Sequence, residues 1–140
     1  MRVVCEDFFQ YTSEEKYNVI LDYTSVWSHF APVPLRLIDR IRFLCALPRT
    51  LRTNWSSQLT ALSVPSPSTR LVTLMFPLGL DMDGPGPPYP LSEEVYHDLL
   101  DESWEMLSCE EIVTGNRRVV GGKGAEKMAV WMRKLIVPRC

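Results

Sequence analysis

The sequence lacks most of the features that would point directly to a class of protein. Its four cysteines are too far apart to form a Cys-x-x-Cys pair, and it has only two histidines, so neither a zinc ribbon nor a dithiol redox motif is expected. No apolar run approaches the ~20 residues that a membrane helix needs. Free thiols are typical of a reducing compartment. We therefore expect a cytoplasmic protein that binds no metal and does not enter a membrane.

The charged residues are nearly balanced. Fifteen basic and 17 acidic side chains give a net charge of −2, which leaves no basic excess of the kind that nucleic-acid binding requires. The 140 residues, of which 46% are hydrophobic, suffice for one domain with a core. Composition therefore predicts a globular domain with no nucleic-acid partner.

Strand-like and helix-like segments alternate along the first half of the chain. Apolar runs at residues 2–5, 17–22 and 70–76 predict strands, and the continuous Val-Ile-Leu run in the second is typical of a strand buried on both faces. A helix is predicted over 48–62, because Leu51, Trp55, Leu59 and Leu62 recur on one face. The alternation predicts an α/β fold.

The second half begins with a Gly- and Pro-rich stretch at 77–90, which predicts a loop. Ser92 is a good N-cap for a helix over 93–100, in which His97 follows the pattern of a solvated face. Strands are predicted over 104–113 and 126–133, and Gly121–Gly124 between them predicts a turn. These last two strands are expected to form an antiparallel end to the sheet.

Several blocks occur in the order found in one enzyme family. They are Val-Val-Cys-Glu-Asp-Phe-Phe at 3–9, Asp-Tyr-Thr at 22–24 joined to Phe-Leu-Cys-Ala-Leu-Pro at 43–48, Leu-Val-Thr-Leu-Met-Phe-Pro at 71–77, and Gly-Pro-Pro-Tyr at 86–89. Together they resemble the later part of the thiopurine S-methyltransferase family, in its thiol and halide methyltransferase branch. The resemblance implies an incomplete Rossmann-like class I methyltransferase sheet, with strands 3 to 7 present and the first two missing.

The resemblance also implies a reaction and a set of site residues. S-adenosylmethionine would donate a methyl group to a small thiol or halide, and the full-length protein would be a monomer. Asp7 and Phe8 would contact the adenosine part of the donor and Tyr23 its methionine end, while Pro87 and Pro88 would shape a wall of the acceptor pocket. Asp22 is open to two interpretations, a structural acid at a strand end or a pocket acid. No catalytic base is implied, since an ionised acceptor is already a nucleophile.

Two departures from the family pattern bear on activity. Residues 25–42 interrupt the Asp-Tyr-Thr and Phe-Leu-Cys-Ala-Leu blocks, and we interpret them as a translated intron, the alternative being a genuine loop insertion. No glycine follows a strand near the N-terminus, and Gly121–Gly124 precedes a strand instead of opening a helix, so no phosphate or cofactor loop is recognisable.

We expect a partial methyltransferase domain over 1–137, a tail at 138–140 and impaired activity. The alternative is a non-catalytic fragment or interaction remnant.

Overall fold

A computed structural model describes residues 7–22, 44–112 and 125–135. Their elements, in chain order, are β1 (Val19–Asp22), a 3₁₀ turn (Leu44–Ala46), α1 (Arg49–Leu62), β2 (Arg70–Leu78), α2 (Glu93–Leu100), β3 (Trp104–Glu111) and β4 (Ala125–Arg133). Within these ranges, neither helix is long and apolar enough to cross a bilayer.

The four strands form one sheet in the order β1-β2-β4-β3. β1 and β2 are parallel, whereas β4 lies between β2 and β3 and is antiparallel to both. The α/β prediction is therefore confirmed as a mixed α/β arrangement, and so is the antiparallel pair at the end of the sheet. Because β1 and β2 run the same way, their carboxyl ends meet at the same edge of the sheet.

One side of the sheet, the first face, carries both helices. Paired residues of neighbouring strands point to the same side, and the first face thus includes Ile20, Asp22, Leu71, Thr73, Met75, Lys127, Ala129, Trp131, Arg133 and Trp104. The core forms where these side chains meet Trp55, Leu59 and Leu62 of α1 and Tyr96 and Leu100 of α2.

Polar contacts fix the same packing. Trp104 Nε1 donates to Thr60 Oγ1 of α1 at 3.0 Å, and the His97 ring of α2 lies edge-on to Trp131, with the ring centroids 5.6 Å apart. His97 also bonds Asp101 at 3.0 Å. The predicted solvated position of His97 is therefore only half correct, since its ring packs on the sheet and its side chain is 42% exposed.

The opposite side, the second face, is mainly apolar on β1, β2 and β4 and charged on β3. Its half-buried in-register members are Val19, Leu21, Arg70, Val72, Leu74, Val130 and Met132, and its exposed members include Met128, Glu105 and Glu110. Both faces of β1 and β2 are thus apolar, as the continuous hydrophobic runs of these strands predict.

Most predicted elements are found close to their predicted limits. α1 begins at Arg49, with Pro48 at the N-cap, and the Ser92 side chain accepts from Val95 N at the start of α2. The loop prediction for 77–90 is wrong at its first two residues, because β2 continues to Leu78. The register of β2 shifts between Met75 and Leu78, and such an irregularity tolerates a residue without an N–H, here Pro77. The predicted strand at 2–5, residues 25–42 and the turn at Gly121–Gly124 lie outside the described residues.

Replacement of the core residue Leu71 by alanine should lower the free energy of unfolding by about 2–5 kcal/mol, because it leaves a cavity between the sheet and α1. Leu107, on the edge strand β3, is 48% exposed, and Leu107→Ala should cost less than about 0.5 kcal/mol. Urea unfolding of both variants measures the difference. Equal losses for the two leucines would contradict this assignment of the core.

Candidate functional site

The candidate site lies at the carboxyl ends of the parallel strands, which is where ligands bind in open α/β sheets. The loop at 79–90 leaves this edge from β2 and folds back over the start of α1. Tyr89 N donates to Cys45 O in the 3₁₀ turn at 2.6 Å, and Arg49 Nη2 donates to Met82 O at 2.6 Å. These bonds tie both ends of the loop to the 44–52 segment.

Loop and helix enclose a groove of about 280 Å³. The lining comprises two arginines of α1, Arg49 and Arg52, together with Pro48 before the helix. Five residues of the loop complete it: Met82, Asp83, Gly84, Tyr89 and Pro90. A second depression extends from it along α2, past Val95, Asp98 and Leu99. The groove is large enough for a small acceptor.

Arg52 is the most buried charged side chain of this lining, with 5% of its surface exposed. Its Nε donates to Leu47 O at 3.4 Å and its Nη2 to Pro90 O at 3.5 Å, which are long for hydrogen bonds from a charged donor. Burial, and then the nearby Arg49, lower the pKa of the Arg52 guanidinium. A guanidinium stays protonated at neutral pH, so the groove has a poorly hydrated cation in its wall.

A buried cluster of ionisable groups lies beneath the groove. Asp22 at the end of β1, Cys45, Arg52 and Tyr96 are all buried. Burial, then the charge of Asp22, raises the pKa of the Cys45 thiol, and the same two causes raise the pKa of the Tyr96 hydroxyl well above its ordinary value. At neutral pH the cluster therefore holds a neutral thiol and a neutral phenol, together with the Asp22 acid and the Arg52 cation.

The Tyr89 ring is held against the backbone of Gly86. A Cβ built on Gly86 would lie 2.3 Å from Cδ1 of Tyr89, which is inside van der Waals contact. Because a side chain at position 86 would displace the ring, glycine is required here for space. The pair thus fixes one wall of the groove.

Asp7 and Phe8, the predicted adenosine contacts, lie in a turn that packs on the middle of α1. The Asp7 carboxylate is exposed and accepts from Phe9 N at 3.0 Å, and the Gln58 side chain donates to Phe8 O at 2.9 Å. Gln58 lies six residues after Arg52, or ~9 Å along the helix axis. The same helix, α1, therefore contacts the turn with the predicted adenosine contacts and lines the groove.

The other predicted site residues, Pro87, Pro88 and Tyr23, are not seen in the described lining of the groove. Pro87 and Pro88 are exposed and are not among the residues that line the groove, whereas Tyr89 and Pro90, which follow them, are. Tyr23 lies outside the described residues. The roles of these residues remain predictions.

Sequence reasoning missed Arg52, although a signal was present. Arg52, Trp55, Leu59 and Leu62 are spaced by three, four and three, which places Arg52 on the buried face of α1. An arginine on an apolar helix face is costly to bury without a role for its charge. The signal was obscured because Leu51, beside it, also fits the apolar pattern.

Other polar groups lie apart from the groove. Lys127 Nζ bonds Glu93 Oε1 at 2.6 Å, and the Cys109 thiol lies 3.9 Å from Glu93 Oε2. Cys45 and Cys109 are free thiols. Across 7–22, 44–112 and 125–135, no group of three or more His, Cys, Asp or Glu residues could hold a metal ion.

Gly86→Ala should lower the free energy of unfolding by about 1–3 kcal/mol, because the new methyl group pushes the Tyr89 ring out of its place. In a Tyr89→Ala background the same substitution should cost less than about 0.5 kcal/mol. Urea unfolding of the two single variants and the double variant gives the coupling. A loss that persists without the ring would contradict the proposed contact.

The stability of the fold should fall as pH rises above about 9, where an unfolded thiol ionises. Because the pKa of Cys45 is raised in the folded state, the folded chain retains its proton while the unfolded chain loses one. Cys45→Ser removes the titration, so its unfolding free energy should change less between about pH 8 and 10. Parallel curves for the two proteins would show that Cys45 is not protected.

Comparisons with known proteins identify the family of the chain. The chain is 32% identical over 131 residues to "Probable thiol methyltransferase 2" of Arabidopsis thaliana, covering 91% of this chain and 46% of that protein. It is 29% identical to "Thiocyanate methyltransferase 1" of Brassica oleracea, covering 93% of this chain and 47% of that protein. The chain thus spans about half the length of these relatives. Since residues 1–134 match the thiopurine S-methyltransferase family, the chain belongs to that family of methyltransferases.

Proposed function

We propose that this chain forms the acceptor side of a class I, Rossmann-like methyltransferase domain. The order β1-β2-β4-β3, with one antiparallel strand between β2 and β3, supports an assignment of β1, β2, β3 and β4 to strands 4, 5, 6 and 7 of that fold. The domain extends over 1–137, with 25–42 as an insertion.

The proposed reaction is transfer of a methyl group from S-adenosylmethionine to a small thiol or halide. One observation carries this proposal: the buried Arg52 guanidinium lies in the wall of a small groove at the carboxyl ends of the parallel strands. A buried cation attracts an anion, and thiolates, halides and thiocyanate are all anions. The printed names of the relatives, which refer to thiol and thiocyanate, support an acceptor of this kind.

Described residues near the start of the chain suit the adenosine part of the donor. The exposed Asp7 carboxylate can accept from an amino group of adenine, and Phe8 and Phe9, with ring centroids 5.3 Å apart, offer aromatic surface for the base. Tyr23 is proposed for the methionine end. When bound, the donor supplies a methyl group activated by a sulfonium.

The chain's own residues position and desolvate the acceptor. Arg52 binds the anion, while Tyr89, Pro90 and Met82 exclude water from the groove and leave the anion poorly hydrated. A nucleophile is more reactive when its hydration shell is removed, and alignment with the methyl group supplies most of the remaining rate enhancement. No proton has to be moved when the acceptor is already ionised.

Arg52→Gln should raise KM for iodide or hydrosulfide by about 10- to 100-fold, since a hydrogen bond from a charged group contributes about 1.5–3 kcal/mol. Arg52→Lys, which keeps the charge, should lose less. Gas chromatography of the methylated product gives the rates, and calorimetric titration with S-adenosylhomocysteine should give the same Kd for all three proteins. An unchanged KM in Arg52→Gln would overturn the role of Arg52.

A second candidate is a chain that does not retain the donor by itself and acts only through interactions. The distribution of its seven glycines favours this alternative, since none of them forms a Gly-x-Gly-x-x-Gly loop. Titration of the 140-residue chain with S-adenosylhomocysteine separates the two candidates. Saturable heat that S-adenosylmethionine competes away supports the methyltransferase, and its absence supports the second candidate.

A further inference from the structure

The tryptophans of the described part of the chain differ in how their indole N–H groups are satisfied. Trp104 Nε1 donates to Thr60 Oγ1 and Trp131 Nε1 donates to Thr73 Oγ1, both at 3.0 Å. Trp55 is fully buried, and among the described residues its Nε1 is the one buried side-chain nitrogen or oxygen without a hydrogen-bond partner. A buried donor without a partner is rare and costly in a native protein, so the Trp55 N–H group is a candidate for binding a ligand.

Trp55 lies one helical turn behind the wall of the groove. It follows Arg52 by three residues on the buried face of α1, a spacing that puts the two Cβ atoms about 5–6 Å apart. Arg52 lines the groove at the start of the helix. Trp55 lies deeper and packs edge-on against Tyr96, with the ring centroids 6.4 Å apart. The indole and the guanidinium therefore border the same part of the core.

Arg52 also has donors to spare. Its bonds to Leu47 O and Pro90 O are 3.4 and 3.5 Å long and engage only Nε and Nη2, which leaves further N–H groups of the guanidinium unused. With 5% of the side chain exposed, bulk water has little access to them. The long bond to Pro90 O is weak, so Arg52 can exchange it for a ligand at little cost.

The charges near Arg52 and Trp55 indicate the class of ligand. Arg49 lies at the mouth of the groove, and the N-terminus of α1, where Pro48 makes no side-chain cap bond, adds the positive end of the helix dipole. The Asp22 acid offsets part of this charge, so hydrogen bonds have to contribute to the binding of an anion. A halide accepts hydrogen bonds from any direction, and an indole N–H beside a guanidinium suits such an ion.

We propose that Trp55 is a specificity-determining residue whose indole N–H group, together with the Arg52 guanidinium, binds the acceptor anion. The anion enters from the groove and takes the place of Pro90 O as a partner of Arg52. This role rests on the proposed function, because it gives the acceptor of that reaction a second binding group.

NMR of the ¹⁵N-labelled 140-residue chain tests the role through the indole N–H resonances. The chain is titrated with potassium iodide at constant ionic strength, without a methyl donor. The Trp55 resonance, identified by its loss in Trp55→Phe, should shift and saturate, whereas those of Trp104 and Trp131 should stay in place because their donors are already bonded. Arg52→Gln should weaken iodide binding about tenfold or more. The matched control Arg70→Gln, at the opposite end of β2, should leave it unchanged.

Trp55→Phe removes the N–H group and keeps an aromatic ring against Tyr96. Its urea midpoint should equal or exceed that of the unaltered chain, because an unpaired buried donor is lost, whereas Trp131→Phe should lower the midpoint because it leaves Thr73 without its donor. In an assay of methyl transfer, Trp55→Phe should raise KM for iodide by about 3- to 10-fold and leave Kd for S-adenosylhomocysteine unchanged.

Two results would overturn the role of Trp55. One is a Trp55 resonance that iodide moves no more than those of Trp104 and Trp131, and the other is an iodide-induced shift that is undiminished in Arg52→Gln. The titration needs neither donor nor turnover, so it is separate from the test of the reaction. Methyl transfer with an unmoved Trp55 resonance would contradict the role of Trp55 alone, whereas a saturable shift in a chain that transfers no methyl group would contradict the proposed reaction alone.

Discussion

The insertion of β4 between β2 and β3 is the constraint on which the rest of the described structure depends. The ladder sets Leu71 opposite Trp131 and Thr73 opposite Ala129, and Trp131 Nε1 donates to Thr73 Oγ1 inside the core at 3.0 Å. This bond satisfies two polar groups that would be costly to bury alone. Because it joins neighbouring strands on the first face, it fixes which residues of the sheet meet the helices.

The same packing decides the electrostatics of the groove. α1 lies on the first face with Trp55, Leu59 and Leu62 in the core, and its first turns carry Arg49 and Arg52 to the carboxyl ends of β1 and β2. Asp22 ends β1 beneath them. A cation with little access to water therefore lines the groove, and a neutral thiol and a neutral phenol lie near the Asp22 carboxylate beneath it.

The two faces of the sheet have different structural roles. The first face builds a core with α1 and α2 and supports the groove, while the second face offers branched and sulfur-containing side chains at the surface.

The sequence by itself determined the local structure. Periodicity and capping predicted α1, α2 and the four strands that the structure describes, because hydrophobic spacing and an N-cap such as Ser92 act over a few residues. The order of motifs, including Gly-Pro-Pro-Tyr at 86–89, identified the family. Pro77 was predicted as loop and is strand, because only the shift in pairing with β4 makes room for it.

Only the tertiary structure decided which distant residues meet. Arg52 and Tyr89 line one groove, and the space requirement of the Tyr89 ring explains Gly86. The pairing of β2 with β4 sorts alternate residues onto a helix-covered first face and an apolar second face. A sequence pattern shows which residues are apolar, but strand register and the side on which a helix docks decide which of them become core, which become site and which become surface.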